Sequence, residues 1–286
     1  MRFDRTLVAF SAVLGAAASL AACSKSGTDA ILHPNPPLAS VRFFNAVGDT
    51  LPLDLRPIDQ IEFSQSFINV PFRAEGLGNY TGWSTGPRHI RIFPNSSDLA
   101  TATTIFADTT YSVTAGSYYS FIEIGYARGA PIPKSLWILP DPIPSQGATV
   151  GVRVVHVGGD LGPVDVYLTT SATDPLPAAP TFANVGFQSA TAYVQVAPGA
   201  MVMRVFPAGT TAGALITKTA PAGAPAAAGS GLTNIGGSTQ AGSIMTAMIY
   251  SKATLGSPAS LTGGQTPNTN PTVVFWIDLA PPGTGL

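Results

Sequence analysis

Two carboxylates recur at one spacing in two distant stretches of the chain: Asp49 with Asp54, then Asp160 with Asp165. Such a pair could bind calcium or perform acid–base work on a glycoside. Calcium takes about six to eight oxygen ligands, so two aspartates supply too few without help. A glycosidase needs its carboxylates on either side of a sugar, at a separation the fold sets. A structural role asks for less. Asp49 and Asp160 each follow a glycine in a turn, where an aspartate side chain caps local backbone amides. Asp54 and Asp165 alternate with apolar neighbours and are expected to face away from that core. Arg42/Arg153 and Arg91/Arg204 recur as well. They could clamp a carboxylate or phosphate, but the simpler expectation is cross-strand ion pairing with Asp54 and Asp165, worth about a few tenths of a kcal/mol if exposed.

His89 and His156 are too few and too isolated for a metal centre, which usually takes about three or four ligands. His156 is expected to be a hydrogen-bonded structural histidine on a strand face, and His33 a solvated linker residue. There is no Gly-x-Ser-x-Gly elbow and no glycine-rich phosphate loop. A Ser–His–Asp triad is assembled in space rather than in sequence, so that arrangement stays open. No cofactor or metal is implied.

Cys23 is the only cysteine. It ends the run Leu20-Ala21-Ala22-Cys23, after a basic start (Arg2, Arg5) and an apolar stretch over residues 7–18. Charged, apolar and small-residue regions in this order read as a secretory signal. The apolar run is shorter than the ~20 residues that span a bilayer. The whole resembles a bacterial lipoprotein signal peptide with its lipobox. That resemblance implies cleavage after residue 22, lipid on the Cys23 thiol, and membrane attachment through several acyl chains; each buried methylene contributes about 0.8 kcal/mol. Ser24 stands where an aspartate would signal inner-membrane retention, which favours the outer membrane. Residues 23–38, with Pro34, Pro36 and Pro37, read as a lipidated cysteine and flexible tether.

The composition fits a folded envelope body. Of 286 residues, 45% are hydrophobic and only 10% charged, with 14 basic against 15 acidic side chains. No Lys/Arg patch exists, which argues against nucleic acid as a partner. With Cys23 lipidated, no disulfide can form, and stability must come from burial.

The elements that position the recurring residues are themselves repeated. Residues 41–55 align without a gap to 152–166. Phe67-Ile68-Asn69-Val70 recurs as Phe182-Ala183-Asn184-Val185, and Arg91-Ile92-Phe93-Pro94 as Arg204-Val205-Phe206-Pro207. Ala115-Gly116-Ser117 and Trp137-Ile138 recur as Ala241-Gly242-Ser243 and Trp276-Ile277. The order holds throughout, as in a duplicated domain. The proline-dense run 140–147 separates the copies, and the second is lengthened within 210–237, an Ala/Gly/Thr/Pro-rich run expected to be a long exposed loop. Val152-Arg153-Val154 and Val164-Asp165-Val166 alternate as strands of a sheet with one buried face. With 30 glycines and 26 prolines punctuating short strands, the fold class is all-β: a β-sandwich in each copy, over residues 39–145 and 146–286. Tyr118, Tyr119, Phe121, Tyr126 and Trp137 enrich the first copy in aromatics, expected to fill its core rather than form a stacking platform.

Val152-Arg153-Val154-Val155-His156 followed by Pro163-Val164-Asp165-Val166-Tyr167 resembles the opening of the DUF4397 family, a domain of unknown function in bacterial secreted proteins. Phe206-Pro207-Ala208-Gly209-Thr210-Thr211 resembles a later stretch of it. The likeness covers most of 148–278 and, more weakly, 39–140, where Asn45 stands in place of His156. It implies two tandem immunoglobulin-like sandwiches in an envelope setting and assigns no activity. Together these readings point to a lipid-anchored outer-membrane protein, non-catalytic, that binds, adheres or scaffolds through an envelope or extracellular protein or glycan. An envelope hydrolase or carbohydrate-active accessory module is the alternative.

Overall fold

The computed structural model describes residues 37–59, 67–76, 79–129, 132–227, 233–255, 257–258 and 268–282. Cys23, with the expected signal and tether through residue 36, lies outside them. Among the described residues no helix is long and apolar enough to cross a membrane.

The body is nearly all β, as its alternating patterns and frequent turn residues dictate. The first half holds β1 (Leu38–Asn45), β2 (Leu53–Pro57), β3 (Ala74–Glu75), β4 (Thr81–Ser84), β5 (Gly86–Pro94), β6 (Ala107–Val113), β7 (Tyr118–Ile124) and β8 (Ser135–Pro140). A single helical turn, α1 (Leu99–Ala102), starts where the Asp98 side chain accepts the Thr101 amide. The second half holds β9 (Val150–His156), β10 (Val164–Thr169), β11 (Phe182–Val185), β12 (Ser189–Ala190), β13 (Val194–Val196), β14 (Val202–Pro207), β15 (Ile216–Thr219), β16 (Ile244–Tyr250) and β17 (Thr272–Leu279).

Each half has two layers. In the first, a five-stranded sheet ordered β3–β1–β7–β8, with β4 also on β1, faces the sheet β2–β5–β6. In the second, β12–β9–β16–β17, with β13 also on β9, faces β11–β10–β14–β15. The two larger sheets are mixed: β1 runs parallel to β7, and β9 parallel to β16. Where β11 joins the second half, the first shows, among the described residues, the bridge between Leu53 and Val70.

The cores follow from strand alternation. Val41, Phe43, Leu53, Leu55, Ile90, Ile92, Trp83 and Phe121 fill the first; Val152, Val154, Val164, Val166, Met203, Val205 and Met245 fill the second. A third apolar cluster joins the halves. Phe44, Ile122 and Ile124 meet Val155, Met248 and Tyr250 there, with Trp137 and Trp276 against them. The large sheets are therefore buried on both faces, and the expectation of one buried face is corrected. The polar positions of that alternation, Arg42 and Arg153, point into the contact between halves rather than to water.

The run 210–237 also departs from expectation. It contains β15 and a bridge between Ala224 and Ile235, so part of it joins the second half's fold. The aromatics divide: Tyr119, Phe121 and Tyr126 are buried, while Tyr118 and Trp137 are half-buried.

Because the outer face of β9 is covered, Val155→Asp should behave as a core substitution. Urea unfolding should show a loss of roughly 2–3 kcal/mol or more. A change within about 0.5 kcal/mol, usual at an open strand face, would contradict this packing.

Candidate functional site

Four charges lie buried between the halves. Arg42 on β1 and Arg153 on β9 stand opposite Ser120 on β7 and Thr246 on β16, because parallel pairing sets both registers alike. Each arginine Nε donates to that neighbour's hydroxyl, at 2.8 Å in both cases. Each guanidinium then reaches the opposite half. Arg42 Nη1 approaches Asp278 Oδ1 at 2.7 Å, an ion contact rather than an aligned hydrogen bond, and Arg153 Nη2 donates to Asp141 Oδ1.

The remaining oxygen of each aspartate is filled from its own half. Asp141 Oδ2 accepts from Ser120 and Tyr80, and Asp278 Oδ2 from Thr246 and Tyr193, all at 2.7 Å. The tyrosine rings lie under the guanidiniums, Tyr80 at 4.4 Å from Arg42 and Tyr193 at 4.8 Å from Arg153. The arrangement is reciprocal: each half supplies one cation to the other's carboxylate.

Electrostatics follow from this closure. Burial alone would lower the Arg42 pKa, but Asp278 above all, with Tyr80 and Asp141, holds it above its ordinary value. Burial would raise the Asp141 carboxyl; Arg42 and then Arg153 hold it below the usual carboxylate range. Burial beside carboxylates pushes the Tyr80 and Tyr193 hydroxyls up, so both remain donors.

The residues singled out by sequence fall elsewhere. Asp54 and Asp165 do not pair with Arg42 and Arg153, which corrects that expectation. Both are buried, and each accepts a backbone amide from the recurring Phe-x-Asn-Val run: Asn69 N to Asp54 at 2.8 Å, Asn184 N to Asp165 at 2.7 Å. Those asparagines sit at φ 57° and 51°, a left-handed conformation that asparagine tolerates. Asp54 also takes Arg56 and Asn95, and Asp165 takes Gly209 N. Asp49 accepts the amides of Ala127 and Arg128, far away in sequence rather than local, and Asp160 is exposed. Arg91 pairs with Asp108, which also meets His89, while Arg204 donates to the Asp174 carbonyl.

His156 is a structural histidine. Its Nδ1 accepts from Gly158 N at 3.1 Å and its Nε2 faces the Gly162 carbonyl at 2.9 Å, so the neutral ring satisfies both, and burial lowers its pKa. Asn45 performs the same pair of tasks, accepting from Val47 N and donating to the Val70 carbonyl. The exchange of histidine for asparagine therefore keeps one acceptor and one donor.

Sequence reasoning missed Asp141 and Asp278. Their alignment is broken: the first stands four positions after Trp137, the second two after Trp276. The available signal was an arginine recurring inside otherwise apolar strands, which requires a buried anion.

Within the first core a carboxylate stays unanswered. Glu123 on β7 is fully buried, and neither oxygen has a hydrogen-bond partner. Burial pushes its pKa up to about 8 despite the Lys134 charge. Among the described residues, no cluster of three metal-ligating side chains occurs.

A cleft of about 670 Å³ lies where residues 71–73 meet residues 218–221 and 272–275. It carries Arg73 and Lys218. Arg73 donates to the carbonyls of Ser251 and Asn270 and to Asn268 Oδ1.

With fold and site described, likeness to known proteins can be placed on them. Residues 39–167 match the DUF4397 family, a domain of unknown function. The match takes in the whole first half and runs on through β9 into β10. No curated protein matches the chain. A crystal structure from Bacteroides uniformis ATCC 8492, of a protein proposed to be a cell adhesion protein, is similar at 11% identity and a TM-score of 0.21, over 85% of this chain and 99% of that one.

Two stability measurements test the site. Asp141→Ala strands Arg153 and should cost about 3–5 kcal/mol in denaturant unfolding, whereas removing an exposed pair costs under about 1. Glu123→Ile, the residue β16 carries at the equivalent register (Ile249), should stabilise. The native carboxyl holds its proton up to about pH 8, while the unfolded one ionises near 4.5. The Glu123 contribution is thus full below pH 4.5 and lost as pH rises to 8. The gain from Glu123→Ile should therefore grow across that window; a pH-independent gain would contradict the burial.

Proposed function

We propose that this chain is a lipid-anchored envelope protein, held to the outer membrane through Cys23, that displays two tandem immunoglobulin-like sandwiches for non-catalytic binding. The body is read as a duplicated domain, residues 39–145 and 146–286. The matching strand orders of the two halves, and the reciprocal roles of Arg42 and Arg153, support that reading.

The observation that carries the binding reading is where the reactive side chains are engaged. Asp49, Asp54 and Asp165 cap backbone amides, Asp141 and Asp278 neutralise buried arginines, and His156 bridges a turn as a neutral ring. Groups held in this way stiffen a scaffold and are not poised for proton transfer. A stiff body on a tether acts by presenting its exposed edges and loops.

Membrane fractionation with a Cys23→Ala variant, beside protease shaving of intact cells, tests this function. The variant should move to the soluble fraction, and the wild-type body should be digested on intact cells if it is displayed outward. Retention of the variant in the membrane would overturn the anchor. Protection until the outer membrane is opened would place the binding partners in the periplasm.

A further inference from the structure

We propose that residues 34–37, the proline-bearing end of the expected tether, dock in a tyrosine-lined cleft at the foot of β1, in the way the connector into β9 docks on the second half. The cleft measures about 430 Å³. Tyr111, Tyr118 and Tyr119 supply its aromatic side, Gly116 and Ser117 one rim, and residues 140–143 the other. Tyr111 and Tyr118 are half-buried, so both keep surface that an occupant can cover.

The chain itself arrives at that rim. Gly116 N donates to the Leu38 carbonyl and Ser40 N to the Ser117 carbonyl, both at 2.9 Å. Residue 37, which is exposed, therefore adjoins the cleft. The same two bonds recur in the second half, from Gly242 N to the Thr149 carbonyl and from Gly151 N to the Ser243 carbonyl, again at 2.9 Å. They carry the gapless match of residues 41–55 with 152–166 back to Leu38 and Thr149. Three positions earlier, Asn35 stands against Gln146, with Pro36 against Gly147 and Pro37 against Ala148.

In the second half that position is engaged. Gln146 Nε2 donates to the carbonyls of Gly242 and Ala280, at 2.7 and 2.5 Å, so one side-chain amide ties the loop before β16 to the end of β17. The matching parts of the first half, Gly116 before β7 and residues 140–143 at the end of β8, are the two rims of the cleft. No described side chain makes that bridge between them. Asn35 carries the same amide, one methylene shorter, at the position that would. The prolines suit the rest of the cleft. His33, Asn35 and Pro36 each precede a proline, which disfavours a helix and favours an extended run. Extended proline segments lie on aromatic-lined grooves and lose little entropy in doing so. Joined to Leu38, the segment meets its cleft at an effective concentration of about millimolar, so modest contacts suffice. Docking leaves residues 24–33 as the free span and fixes the end of the body that faces the anchor. Only this last consequence rests on the lipid reading of Cys23.

Photocrosslinking in the full-length protein, kept in detergent micelles, tests the docking. In a Pro142→p-benzoylphenylalanine variant the probe sits on an exposed rim residue, and crosslinks are mapped by mass spectrometry after digestion. They should join position 142 to residues 34–37 of the same chain, with a yield independent of protein concentration. Asn35→Gln, which carries the second half's own side chain, should keep that yield. Asn35→Gly combined with Pro36→Gly and Pro37→Gly should cut it about fivefold or more, with near-ultraviolet circular dichroism unchanged. No crosslink to residues 34–37, or a yield indifferent to the glycine variant, would overturn the proposal. So would a yield that rises with protein concentration, the mark of a proline-rich segment from a second molecule. Lipid attachment does not enter this assay, so a failed Cys23→Ala fractionation and a failed docking are separate results.

Discussion

Arginines buried between two β-layers are tolerated only when each charge meets an opposite one. That constraint organises this molecule. Arg42 and Arg153 cannot face water because the large sheets cover each other, and neither half supplies its own arginine with its main counter-charge. Each must take it from the other half. The result fixes the register of one half on the other more sharply than the surrounding Phe44, Trp137, Met248 and Trp276 contacts could, since apolar packing is far less directional than an ion pair.

Much of this was legible in the sequence, and the limits are physical. Period-two alternation and dense turn residues gave the all-β class. Asp54 and Asp165 were visible as a recurring pair, but their role was not: it depends on an amide presented by left-handed Asn69 and Asn184, from a segment 15 and 19 residues downstream. The alternation around Arg153 misled, because a polar residue between apolar ones looks alike whether the second face meets water or a second sheet. Asp141 was hidden in a proline-rich connector, where composition suggests solvent.

The same closure separates scaffold from surface. Asp49, Asp54, Asp141, Asp165, Asp278 and His156 are drawn inward, to caps and ion pairs. Glu123 is the exception inside the first core: an ionisable group whose burial makes that half sensitive to rising pH, while Ile249 leaves the other insensitive at the same register.

The central claim is that the buried Arg–Asp–Tyr network makes the two halves one cooperative unit. Differential scanning calorimetry of the intact body tests it most directly. One transition, with calorimetric and van't Hoff enthalpies equal, is the predicted result. Two transitions, or a calorimetric enthalpy near twice the van't Hoff value, would mean that the halves unfold independently and that the network does not join them.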